Sequence, residues 1–158
     1  MSRRLFITFG ALLAANVAGA TLAQDSDATV ESDMAPQAMG DANLNDFLWE
    51  KRPIVVFADT ARDPAFIRQL ELLEDRPEAL AERDVVILTD TDPNELSDLR
   101  EKLRPRGFML VLIGKDGDVK LRKPFPWSVR ELSRAIDKMP MRQQEIRDRR
   151  ADGVGSSG

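Results

Sequence analysis

The chain contains no cysteine, no histidine and no tyrosine. Without cysteine there is no disulfide, no thiolate nucleophile, no iron–sulfur ligand and no lipid-anchored cysteine. Without histidine, Ser-His-Asp triads and the usual His-bearing zinc sites are excluded, together with the one side chain that ordinarily titrates near neutral pH. Asp, Glu, Lys, Arg, Ser and Thr are left for polar side-chain chemistry, and no cofactor or metal is expected. What is present suits one ordinary core: 158 residues, 42% of them hydrophobic, with a net charge of −4.

Residues 1–23 read as an export signal. Arg3 and Arg4 precede an uncharged run, Leu5 to Ala23, rich in Ala, Leu and Phe. Ala18-Gly19-Ala20 fits the cleavage pattern, and Ala23 before Gln24 is an equally good end, so the mature chain is expected to begin at Thr21 or Gln24. Ser2-Arg3-Arg4-Leu5-Phe6-Ile7 also fits a twin-arginine signal, while any signal peptide wants two early positive charges; both routes stay open. The expected address is periplasmic or secreted, with membrane contact only through an uncleaved signal. Residues 24–43 carry Asp25, Asp27, Glu31, Asp33 and Asp41 with no base, which reads as a disordered acidic leader.

The folded domain is expected over residues 44–150, followed by a loose Gly/Ser tail over 151–158. Leu44, Phe47 and Leu48 share a helical face. Ile54 to Phe57 and Val85 to Leu88 are apolar runs of strand length. Asp63-Pro64 starts a helix whose apolar face is Phe66, Leu70 and Leu73. Asp75 with Glu78 is expected to restart a short helix around Pro77. Asp92-Pro93 with Glu95 is expected to cap a helix carrying Leu96, Leu99 and Leu103. The stretch Gly107 to Gln144 organises the rest. Phe108 to Ile113 is a doubly buried strand, Asp116-Gly117 signals a two-residue hairpin, and Val119 and Leu121 alternate with Lys120 and Arg122 as on an edge strand. Ser128 with Glu131 forms a capping box, and Trp127 with Leu132 a hydrophobic staple that makes Trp127 structural. Leu132, Ala135, Ile136 and Met139 then line one helical face.

The element order β-α-β-α-β-β-α is that of an α/β, thioredoxin-like three-layer sandwich. Gly114-Lys115-Asp116-Gly117, Lys120, Pro126-Trp127 and the run Ile136 to Gln143, with MPMRQ its most specific piece, carry a closer likeness. They resemble domain-of-unknown-function family 4174, a thioredoxin- or peroxiredoxin-like module of exported bacterial and some animal extracellular proteins. The resemblance covers roughly Leu44 to Arg147. It implies the fold and an extracytoplasmic habit, and it brings no catalytic residues.

Where thioredoxins place two cysteines, between the first core strand and its helix, this sequence reads Ala61-Arg62-Asp63-Pro64-Ala65. Arg62 and Ala65 stand at the cysteine positions, and Met109 replaces the proline usual before the hairpin strand. Thiol chemistry is excluded. Two readings of the vacated position remain. Asp59 and Arg62, with the hairpin bases Lys115 and Arg122, could converge as an anion pocket or an Asp/Arg/Lys enzyme site at a helix N-terminus. Alternatively Asp63 fills that N-terminus, Asp59 pairs with Arg62, and the surface is a binding or structural module for an unidentified protein partner. Asp90, Asp92, Asn94, Asp98 and Glu101 mimic calcium-loop spacing, but Glu95 replaces the required Gly and Pro93 intrudes, so helix capping is the expected role. Between Asp59 and Asp98 twelve acids face four arginines, whereas Arg100 to Arg150 holds fifteen bases and seven acids. Such segregation suits steering of a partner or head-to-tail association. Nucleic acid is not expected, because the chain is acidic overall, carries an export signal and shows no aromatic platform.

Overall fold

The computed structural model describes residues 34–38, 43–95 and 97–155; the segment expected to be an export signal and most of the expected acidic leader lie outside them, as do Leu96 and residues 156–158. A five-stranded mixed sheet runs in the order β1 (Gln37–Ala38), β3 (Val85–Asp90), β2 (Arg52–Phe57), β4 (Met109–Ile113) and β5 (Val119–Lys123). The first three are mutually parallel, while β4 runs antiparallel to β2 and β5 to β4. The central strand explains the layers. Because side chains alternate across a strand, Ile54 and Val56 enter one apolar cluster and Val55 and Phe57 the other. Leu110 and Leu112 against Val111 and Ile113 on β4 repeat the division.

Three helices cover the first face: α1 (Pro64–Glu74), α2 (Pro77–Ala81) and, after α3 (Asp98–Leu103), α4 (Val129–Asp137). They contribute Phe66, Leu73, Leu80, Val129, Leu132 and Ile136 to the buried cluster. Each such side chain, fully buried, stabilises by roughly 1.5–3 kcal/mol. The second face is covered by α3, through Leu99 and Leu103, and by a 3-10 turn at Leu44–Phe47, through Leu44 and Phe47. A last helix, α5 (Pro140–Gly155), follows α4 after a two-residue joint. No helix among the described residues is long and apolar enough to cross a membrane.

Local start signals hold at two helices. The Asp63 carboxylate accepts from the Ala65 and Phe66 amides at the head of α1. Ser128 and Glu131 form the reciprocal capping box of α4, whose hydrogen bonds from Ser128 hold the Glu131 carboxyl below its usual pKa. Trp127 and Leu132 share the first cluster, as a staple requires.

Elsewhere the boundaries differ from expectation. Met34 is buried in the first cluster and Gln37–Ala38 pairs with Leu88 and Thr89, so part of the acidic leader completes the sheet. Its few apolar residues suffice because β3 supplies the open edge. The α3 helix begins at Asp98 with Ser97 as cap. Asp92 instead closes a local turn onto the Asn94 amide, because Pro93 and Asn94 favour a turn over a first helical turn. The short α2 has Arg76 at its N-cap and no side-chain cap, so Asp75 does not serve it; Pro77 alone sets its start. The hairpin is wider than two residues. Gly114 N–H donates to Asp118 O, Gly117 N–H donates to Gly114 O, and only Gly117 takes positive φ (78°). That positive φ requires glycine there, while a Cβ would meet only the tip of Leu48, Cδ2 at 2.8 Å, which can shift. Finally, α5 continues through residues expected to be a loose tail.

Candidate functional site

The carboxyl ends of β2 and β3 meet the loop leading into β4, at the position where the sequence places the vacated thiol site. Asp59, Thr60, Ala61 and Arg62 all lie exposed on the turn from β2 to α1. Thr60 organises that turn: its carbonyl accepts from Asp63 N–H and its hydroxyl from Arg62 N–H. Among the described residues, neither the Asp59 carboxylate nor the Arg62 guanidinium makes a hydrogen bond or ion pair, so the expected Asp59–Arg62 pair is not formed. Asp63 fills the helix N-terminus, as one of the two sequence readings requires.

Lys115 is remote from this place. Since β4 runs opposite to β2, the β4–β5 turn lies at the amino end of β2, seven residues from Asp59 and roughly 23 Å away along an extended strand. There Lys115 Nζ lies 2.7 Å from Asp84 Oδ2 and 3.1 Å from Glu145 Oε1. Arg122 lies on the edge strand β5 and donates to the Leu103 carbonyl at 3.0 Å, closing the end of α3. The four candidates therefore do not converge. The calcium-loop letters do not converge either: among the described residues no group of three or more acidic side chains is placed to hold a metal ion. Asp90, the first of them, is bound to Arg100 and Ser97.

That pair fills the interior beneath the open turn. Asp90 and Arg100 are each 7% exposed, with Arg100 Nη2 at 2.6 Å and Nε at 3.0 Å from the same carboxylate oxygen. Arg100 also donates to the Ala58 and Asp90 carbonyls and lies 5.5 Å from the Phe57 ring centroid; the Ser97 hydroxyl donates to the other Asp90 oxygen. A polar group buried this deeply is stable only when so fully bonded. On α1, Gln69 is wholly buried and reads the backbone of Trp127 on the neighbouring loop in both directions, donating to its carbonyl at 2.9 Å and accepting from its amide at 2.8 Å. The half-buried Trp127 ring carries Lys123 Nζ at 4.4 Å, while Phe125 beside it is 53% exposed. A cleft of about 200 Å³ lies away from all of these, between Met34, Ala35, Pro36 and Leu73, Glu74, Pro77.

Residues 43–145 match DUF4174, a domain of unknown function. The chain belongs to this family. Its likeness to solved structures bears on the fold alone. A chloroplastic thioredoxin z matches with a TM-score of 0.51 at 20% identity, over 65% of this chain and 91% of that one. Thioredoxin-2, a component of malaria parasite protein secretion machinery, matches with 0.48 at 15% identity over 67% and 96%. A Plasmodium yoelii thioredoxin peroxidase I matches with 0.46 at 18% identity over 65% and 80%. The strand order and mixed directions of this DUF4174 domain make it a thioredoxin-like α/β sandwich.

The most constrained polar residues of this DUF4174 domain escape a reading by residue type. Arg100 reads as one more base in a basic segment, yet it falls three residues before Leu103 and beside Leu99. That puts it on the apolar stripe of α3, and the helical spacing is the signal that could have found it. Arg52, at the head of an otherwise apolar strand, is 1% exposed and has the parity of Ile54 and Val56. Gln69 likewise lies among the apolar positions of α1.

Proposed function

We propose that this chain is an exported, non-redox binding module that uses a thioredoxin-like scaffold as a rigid support for recognising another protein. What carries the reading is the arrangement at the carboxyl end of the sheet. Asp59 and Arg62 lie open and unengaged by the described residues, while the interior directly beneath is plugged by the Arg100–Asp90 pair. An enzyme site needs convergent side chains in a recess; here the hairpin bases are elsewhere and the turn is an exposed surface. Absence of sulfur nucleophiles removes thiol exchange from the same position. The export signal read in residues 1–23 supports a periplasmic or secreted address.

The reading is tested by proximity crosslinking from Thr60 in exported protein, comparing the natural chain with Arg62→Glu and with Lys120→Glu on the remote hairpin. A specific crosslinked protein is expected to be lost on Arg62→Glu and kept on Lys120→Glu. Loss in neither variant would move recognition off this face. Repurified protein should show no disulfide reductase or thiol peroxidase turnover with any thiol supply, and chain-dependent turnover would contradict the non-redox part.

A further inference from the structure

At the opposite end of the sheet, Glu145 of α5 is gripped by cations from three elements. Arg52 Nη2 donates to its Oε1 at 2.6 Å, Lys115 Nζ lies 3.1 Å from the same oxygen, and Arg142 Nη1 donates to Oε2 at 3.2 Å. Arg52 is wholly buried and fixed from behind, its Nη1 donating to the Arg83 carbonyl at 2.8 Å. Lys115 is fixed by Asp84. The body of the domain therefore presents two charged donors, each held by a further partner, that converge on a single carboxylate oxygen as charge-assisted contacts. Glu145 keeps 20% of its side chain exposed, so the place opens to solvent on one side.

The helix that brings this carboxylate contributes no residue to either buried apolar cluster, whereas α4 just before it contributes Val129, Leu132 and Ile136. Met141 and Ile146 are only half-buried. The remaining hold is polar: Arg142 beside Asp137 at 3.6 Å, Gln143 donating to the Asp137 carbonyl, and Arg149 donating to the Glu82 carbonyl. Arg142 Nε, although buried, has no hydrogen-bond partner. With little apolar burial, α5 depends on these ion pairs and hydrogen bonds for its docking, so loss of the one carboxylate at their centre loosens the helix without unpacking the core. We propose that Arg52 and Lys115 form a carboxylate receptor that the chain fills with its own Glu145, and that α5 is a latch held closed by this one carboxylate.

Two measurements on the full chain test this. In Glu145→Ala the receptor is emptied with its cations in place. Its melting temperature is expected to fall, and sodium formate should recover about half of the loss where sodium chloride of equal ionic strength does not. Adding Lys115→Met to Glu145→Ala should abolish that selective recovery. Equal responses to formate and chloride, or recovery that survives Lys115→Met, would overturn the receptor. The latch is read in Glu145→Gln, which keeps the shape of the side chain and serves equally if Glu145→Ala does not fold. Amides of α5 should exchange about tenfold faster than in the natural chain while those of β2 and β4 keep their protection. Uniform loss of protection across α5 and the strands would make α5 an inseparable part of the core and overturn the proposal.

Discussion

Breaking the Asp90–Arg100 pair from one side should cost far more than removing both members, and a double-mutant cycle measures the difference. Arg100→Met keeps an unbranched side chain over Phe57 but leaves the Asp90 carboxylate with the Ser97 hydroxyl as its remaining partner. A buried charge stripped of its counter-ion costs about 3–5 kcal/mol. Asp90→Asn is milder, because the guanidinium keeps the Ala58 and Asp90 carbonyls. Losing two charge-assisted bonds to one carboxylate there should cost about 2–3 kcal/mol. In the double variant no charge is stranded. What remains is the lost donor to the Ala58 carbonyl, about 1–3 kcal/mol, since the Asp90 carbonyl still accepts from Ala58 N–H. The singles therefore sum to roughly 5–8 kcal/mol against roughly 1–3 for the double, a coupling of at least about 2 kcal/mol. Urea unfolding followed by circular dichroism supplies all four free energies. Additivity within about 0.5 kcal/mol would show that the two residues do not act as a buried pair.

Other perturbations probe separate parts of the molecule. Gln69→Leu strands both the amide and the carbonyl of Trp127 and should cost about 2–4 kcal/mol in the same assay; a neutral result would mean the loop is not held by α1. Trp127 is half-buried, so Trp127→Ala should cost about 2–3 kcal/mol rather than the value for a full core aromatic. Ser128→Ala should cost about 1 kcal/mol, and the adjacent pair should combine less than additively. Burial works to raise the Glu145 pKa, but hydrogen bonds from Arg52, Lys115 and Arg142 with the Arg52 charge bring it down to about 2 from an ordinary 4.5. A depressed carboxylate stabilises fully above the unfolded-chain value and loses that contribution as pH falls toward the folded one. Glu145→Gln should thus be about 1–2 kcal/mol less stable than the natural chain at pH 7, after allowance for solvent screening, with the gap closing between pH 5 and 2; a gap independent of pH would contradict the assignment. N-terminal sequencing of exported protein should find Thr21 or Gln24 first, and Met1 would refute cleavage. Replacing Arg3 and Arg4 by Lys should block export if the twin-arginine route is used and leave it intact if the general route is.

Local signals determined much of this protein. The apolar runs at Ile54 to Phe57, Val85 to Leu88 and Phe108 to Ile113, together with the Asp63-Pro64 and Ser128/Glu131 starts, were enough for a thioredoxin-like α/β sandwich. Each depends only on residues close in sequence: alternation along a strand, or a side chain reaching an amide two or three residues on. The absence of cysteine was equally legible, since no fold supplies a missing atom. What only the tertiary structure decided involves partners far apart in the chain. Gln37–Ala38 is a strand only because β3 offers an open edge fifty residues later. Arg100 meets Asp90 and Ala58, and Arg52 meets Glu145 across ninety-three residues. The four candidate site residues failed to assemble for the same reason. The direction of β4 against β2 sends Lys115 to one end of the sheet and Asp59 to the other, and strand direction is settled by packing of the whole chain, not by the residues at either place.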